Sequence, residues 1–219
     1  MKKKTEVESK ILTVEEIEQF VIDAGSDHVP TFGGSFEGGA QIQQVPDEIA
    51  PAILAIMESG EPILRYLEIG AAAGGTAFLM DHFFHPGNIV LIDDNGHPKH
   101  HVRPYILRDV NRAEIIGHSQ AQGTVDALKD MGMVFDVILI DGDHSYSGVR
   151  ADIDIYRDFL RAGGFLILHD SALPDWGVMP AAKELKADTG FEFIGEYIGQ
   201  KGNVCGVALF RKAAKNEGE

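Results

Sequence analysis

Cysteine occurs once in these 219 residues, as Cys205. No internal disulfide can form from a single thiol, and such usage fits a reducing cytoplasm. Cys205 lies in the apolar run 204–210 and is expected to be buried filler. Long apolar runs are missing as well: nothing approaches the ~20 residues needed to span a bilayer. Positive charge is scarce, 19 Lys and Arg against 34 Asp and Glu, which leaves a formal charge of −15. That balance repels nucleic-acid backbones and anionic membranes, so neither is an expected partner. The Lys2–Lys4 run is a local exception; no apolar stretch follows it, so a signal peptide is not expected. Repeats and low-complexity tracts are also absent. The chain therefore reads as one domain: residues 1–48 an N-terminal helix and mobile cap, 49–212 an α/β core, 213–219 a tail.

What is present is a regular alternation. Thr13 and Glu16 form a capping box for a helix ending at Gly25, with Ile17, Phe20 and Val21 on its inner face. This helix offers a surface for a homodimer. Residues 30–44 are Gly-rich and polar, which predicts a mobile loop with no core contacts. A second helix, 46–59, carries Ile49, Ile53, Ile56 and Met57, with Pro51 placed in its first turn. Short apolar strands are predicted at 64–69, 88–93, 113–117, 135–140 and 165–169. Helices at 75–84, 98–109, 121–131 and 145–162 fill the gaps. In the last of these Val149, Ile153, Tyr156 and Leu160 face inward, and Asp152, Asp154, Arg157 and Asp158 fall largely outside. Continuous apolar strands imply burial on both faces, hence a parallel sheet covered by helices. A helix at 178–189 and runs at 191–198 and 204–211 predict a closing antiparallel hairpin. The fold expected is a doubly wound, mostly parallel seven-stranded α/β sheet, which binds ligands outside the carboxyl ends of its strands.

Chemistry clusters at those ends. "LEIGAAAGGT" places Gly70 and Gly74 between a strand and a helix, where bare backbone lets a ligand approach. The spacing is not that of a pyrophosphate loop, and no phosphate-binding lysine follows. Glu68 adds a carboxylate that repels a diphosphate but attracts a cationic amine, which favours S-adenosylmethionine over a nucleotide. Asp93, at the end of the next strand, stands where an acid can hold ribose hydroxyls. "IDGDHSY" closes the fourth strand with Asp141, Asp143 and His144, and "HD" closes the fifth with His169 and Asp170.

The segments "YLEIGAAAGGTA", "VLIDDN", "IIGHSQA", "FDVILIDGDHSYSGVRADI" and "RAGGFLILHDSA" resemble successive motifs of class I S-adenosylmethionine-dependent methyltransferases, within them the small O-methyltransferase-like branch. The resemblance spans about residues 40–212. It implies that Glu68, Gly70, Ala71 and Gly74 line the methionine end, that Asp93 holds the ribose, and that Ser119 and Gln120 border the adenine. The metal-dependent members imply a divalent ion at Asp141, His169 and Asp170, with Asp141 also bordering the cofactor. His144 occupies the position of their lysine base. Two departures stand out: His169 replaces a carboxylate and His144 replaces the lysine. Imidazole suits Mn or Fe better than Mg, and a histidine base needs no large pKa depression near neutral pH.

The function expected is transfer of a methyl group to a hydroxyl of a small acceptor, assisted by Mg, Mn or Fe. The alternatives are an iron-dependent hydroxylase on the same fold and a non-catalytic S-adenosylmethionine-binding protein. Asp143 reads as a turn residue, and His97–His101 ("HPKHH") as a solvated loop. Trp176 and Phe32 are candidate acceptor walls.

Overall fold

The computed structural model describes residues 12–28 and 38–214. Phe32, the Lys2–Lys4 run and residues 215–219 lie outside them. α1 (Val14–Gly25) starts at the expected reciprocal cap: Thr13 Oγ1 accepts from Glu16 N–H, and Glu16 Oε2 accepts from Thr13 N–H. α2 (Pro46–Glu58) packs beside it. Pro51 falls in the second turn of α2 rather than the first, so the helix forgoes one backbone bond there.

Strand and helix then alternate: β1 (Arg65–Ile69), α3 (Gly75–Phe84), β2 (Asn88–Asp93), α4 (Arg103–Ile106), β3 (Arg112–Ile116), α5 (Gln122–Asp130), β4 (Phe135–Ile140), α6 (Tyr146–Tyr156), β5 (Leu160–His169), α7 (Val178–Leu185), β6 (Phe191–Tyr197) and β7 (Val207–Lys212). The seven strands form one sheet in the order β3-β2-β1-β4-β5-β7-β6. All pairs are parallel except those made by β7, which runs antiparallel to β5 and β6. Alternate residues of each central strand feed opposite layers. Tyr66, Leu91, Val137, Leu139 and Ile167 pack under α1, α2 and α3. Leu67, Val90, Ile138, Ile140 and Leu168 pack under α5, α6 and α7. Among the described residues no helix is long and apolar enough to cross a membrane.

Three expectations are corrected. The predicted helix 145–162 ends at Tyr156; after the 3-10 turn Arg157–Phe159, Leu160 already pairs with Phe135 as the start of β5. The predicted helix 98–109 is a 3-10 turn, Pro98–Val102, followed by the single turn of α4. The described end of the Gly-rich segment is not detached from the core: Ile42 is fully buried and bridges to Ser26.

Candidate active site

The carboxyl ends of the strands border a cavity of about 630 Å³. Its wall runs from Asp93, Asp94 and His97 after β2, through Gly70 and Ala72 after β1, to Gly117, His118 and Ser119 after β3. Asp141–His144, His169, Asp170, Trp176 and Cys205 complete it. Gly70 closes β1 with φ +84°, and a Cβ there would lie 2.1 Å from the Asp141 carbonyl oxygen. Its side-chain hydrogen is therefore required by the crossing of two turns, because the β4 turn lies against it. Gly74 (φ +85°) is the cap of α3, and a Cβ there would strike Leu107 and Arg103. Both glycines of the motif answer to protein packing first.

At one corner two carboxylates and two imidazoles alternate. Asp141 Oδ1 lies 3.2 Å from His144 Nε2 and 3.1 Å from His169 Nδ1. Asp170 Oδ2 lies 3.1 Å and 3.2 Å from the same two nitrogens. Asp170 adopts φ +61°, a left-handed conformation that an aspartate tolerates better than most residues. Burial pushes the Asp141 carboxyl up, but His169 and His144 outweigh it and hold it below the ordinary range. Burial likewise opposes charge on His144 and His169. Both are nonetheless raised by Asp141 and Asp170, His144 to about 9. Asp170 is held well down by the two histidines despite its burial. Left to this environment alone, His144 keeps its proton at neutral pH, contrary to the expectation of an unperturbed base. Its ring stacks at 4.2 Å on Trp176.

The donor set fits a divalent cation. One ligand atom each from Asp141, His169 and Asp170 lies within 4.8 Å of the others, and His169 Nε2 is buried with no hydrogen-bond partner. Glu48, His169 and Cys205 form a second such group. The Glu48 oxygens, however, already accept from the N–H groups of Gly199, Cys205 and Gly206. Cys205 borders the cavity rather than filling the core. Burial pushes its thiol up to about 12, helped by Asp170 and Glu48, so it offers no thiolate nucleophile.

The remaining predicted residues are placed unevenly. Glu68 is 2% exposed and lies behind the wall, accepting from Tyr66 Oη at 2.9 Å. Burial pushes its carboxyl up to about 8, so at neutral pH it presents little charge to a cationic amine. Ala71, Gly74 and Gln120 are also not on the wall, whereas Gly70, Asp93 and Ser119 are. Asp93 spends its oxygens internally: Oδ2 accepts from Ala72 N–H, while Oδ1 accepts from Asn95 N–H and pairs with Arg103 at 2.8 Å. Of the histidine-rich segment, His97 borders the cavity, and no three-ligand group forms there among the described residues.

Several working residues were not foreseen. Gln44 Nε2 donates to Asp141 Oδ2 at 3.0 Å while its Oε1 accepts from Thr76 Oγ1. The buried Arg103 also donates to the Ala72 carbonyl, fixing the turn after β1. Asp152 was expected outside the α6 inner face and is fully buried. A polar residue in a polar stretch gives no sequence signal for such distant partners.

Residues 67–171 match the model of a family described as a methyltransferase domain. An uncharacterized protein of Acanthamoeba polyphaga mimivirus, R132, is 28% identical over 157 residues, 64% of this chain and 71% of that protein. The O-methyltransferase TomG from Streptomyces achromogenes, solved with SAM, superposes with a TM-score of 0.62 at 16% identity, covering 91% of this chain and 90% of TomG. The MycE methyltransferase of mycinamycin biosynthesis, solved with Mg, SAH and mycinamycin VI, gives 0.56 at 18% identity over 88% of this chain. The chain spans only 55% of MycE's length. The sheet order and the antiparallel β7 are thus the architecture of those methyltransferases, and residues 67–171 carry the methyltransferase domain within it.

Proposed function

We propose that the chain transfers a methyl group from S-adenosylmethionine to a hydroxyl of a small molecule at the Asp141–His144–His169–Asp170 corner. The observation that carries this reading is the single cavity joining that corner to the β1, β2 and β3 ends, within the stretch matched by the methyltransferase family. A sulfonium methyl needs no covalent help from protein, so the side chains have only to position the acceptor and hold its proton. His144 Nε2, on the cavity wall between two carboxylates, is the group placed to do so. Asp141, His169 and Asp170 would hold a divalent ion, which when bound supplies positive charge that acidifies a hydroxyl and disfavours the proton on His144. MycE, which was solved with Mg, supports that reading by analogy of fold. Trp176, 38% exposed beside His144, offers an apolar face to the acceptor.

Calorimetric titration with S-adenosylhomocysteine tests the cofactor. Saturable binding with a Kd on the order of micromolar is expected. No heat and no protection from thermal unfolding at high micromolar ligand would overturn the proposal.

A further inference from the structure

The loop after β3 is tied to α6 by side chains the mechanism does not use. Tyr156 Oη donates to the Ser119 carbonyl at 2.7 Å, and Gln120 Nε2 donates to the Gly148 carbonyl at 3.2 Å. Ser119 Oγ donates to Asp152 Oδ1 at 2.7 Å, and Gln120 Nε2 reaches the same oxygen at 3.4 Å. Asp152 is fully buried, and its Oδ2 has no partner. That oxygen lies 3.6 Å from where a Cβ on Gly142, a cavity-wall residue, would stand. Burying an acid here is costly unless the loop needs its charge or its acceptor capacity.

A hydroxyl has one proton to give and two lone pairs, whereas a carboxylate can only accept. Burial raises Asp152 to about 6, so at pH 7.5 it is still ionised and has no proton to return. The Ser119 proton is therefore committed inward, and toward the cavity its oxygen can only accept. Ser119 borders the cavity together with Gly117, His118, Gly142 and Asp143. In the sheet order β3 lies four strands from β5, whose end carries His169 and Asp170. A nucleoside whose reactive end faces that corner therefore places its base toward β3.

We propose that Asp152 is a positioning residue that fixes Ser119 as a hydrogen-bond acceptor, so that the site takes a 6-aminopurine nucleoside and rejects a 6-oxopurine one. A purine amine gives Ser119 a donor; a purine carbonyl meets it oxygen to oxygen. The inference rests on the S-adenosylmethionine reading above and adds to it the origin of base selectivity.

The test is calorimetric binding, at pH 7.5, of S-adenosylhomocysteine and its deaminated analogue S-inosylhomocysteine to the full chain and to the D152N and S119A variants. Wild type is expected to prefer the adenosyl compound by about tenfold or more, one neutral hydrogen bond plus the repulsion avoided. In S119A the preference is expected to fall at least threefold. In D152N an amide N–H can serve Ser119 instead, and the same fall is expected. A wild-type preference below about tenfold, or an unchanged ratio in S119A or in a folded D152N, overturns the proposal. Should D152N not fold, wild type and S119A still decide. If the adenosyl compound itself does not bind wild type, the methyltransferase reading fails and this inference with it. Adenosyl binding without discrimination overturns the inference alone.

Discussion

Glu48 is the most consequential residue outside the cavity, and replacing it with glutamine tests how the site is held. Its carboxylate is completely buried on α2. Oε1 accepts from Gly199 N–H at 2.8 Å and Cys205 N–H at 3.0 Å, and Oε2 accepts from Gly206 N–H at 2.8 Å. These donors belong to the β6–β7 connection, which leads into Val207, the β7 partner of His169. In E48Q one oxygen can keep two of the three donors, but the amide nitrogen must then face the third N–H. The variant loses one charge-assisted bond and strands a buried donor, a cost of about 3–5 kcal/mol. For a chain of this size that lowers the melting temperature by roughly 10 °C. Thermal unfolding of wild type and E48Q by circular dichroism measures it directly. A shift smaller than about 2 °C would refute the reasoning, since it would mean that the three backbone donors find other partners at no cost.

His144→Ala should reduce methyl transfer by about 10²–10⁴-fold while leaving S-adenosylhomocysteine affinity nearly unchanged; full activity, or an equal loss of cofactor binding, would remove the base assignment. Titration of the metal-free protein with Mn²⁺, followed by electron paramagnetic resonance, should show one bound ion in wild type and none in D141N, and chelator should abolish turnover until Mn²⁺ is returned. Persistent turnover in chelator rejects the metal. Glu68 gives a pH signature. Its folded carboxyl titrates at about 8 against an ordinary 4.5, so between those values the folded state binds the extra proton and stability falls as pH rises. E68Q lacks that slope, so its melting temperature should gain on wild type from pH 5 to pH 8; parallel curves would show that Glu68 is not buried as described.

The strands were legible because each central one is a short, unbroken apolar run, and runs of that kind survive only when both faces are covered. The carboxyl-edge acids were legible for a related reason, since a charge that ends such a run has nowhere to lie but the sheet edge. Boundaries were less clear where one apolar stretch serves two elements: Leu160 keeps helical spacing with Tyr156 yet pairs with Phe135 in β5. Asp152 was misplaced because charge on a helix face reads as solvent exposure, while its partner Ser119 lies 33 residues away. Gln44 and Glu48 were missed on the same ground, reaching Asp141 and the 199–206 connection across 97 and more than 150 residues. Periodicity reports a residue's own element, and these roles exist only once the sheet has brought distant ends together.

The most direct measurement is a crystal structure of the full chain with S-adenosylhomocysteine and Mn²⁺. Expected is density that runs along the strand ends, with the base against Gly117–Ser119, the ribose near Asp93 and Asp94, and the sulfur facing the corner of Asp141, His144, His169 and Asp170. Nucleoside density elsewhere, or a sulfur directed away from that corner, would contradict it.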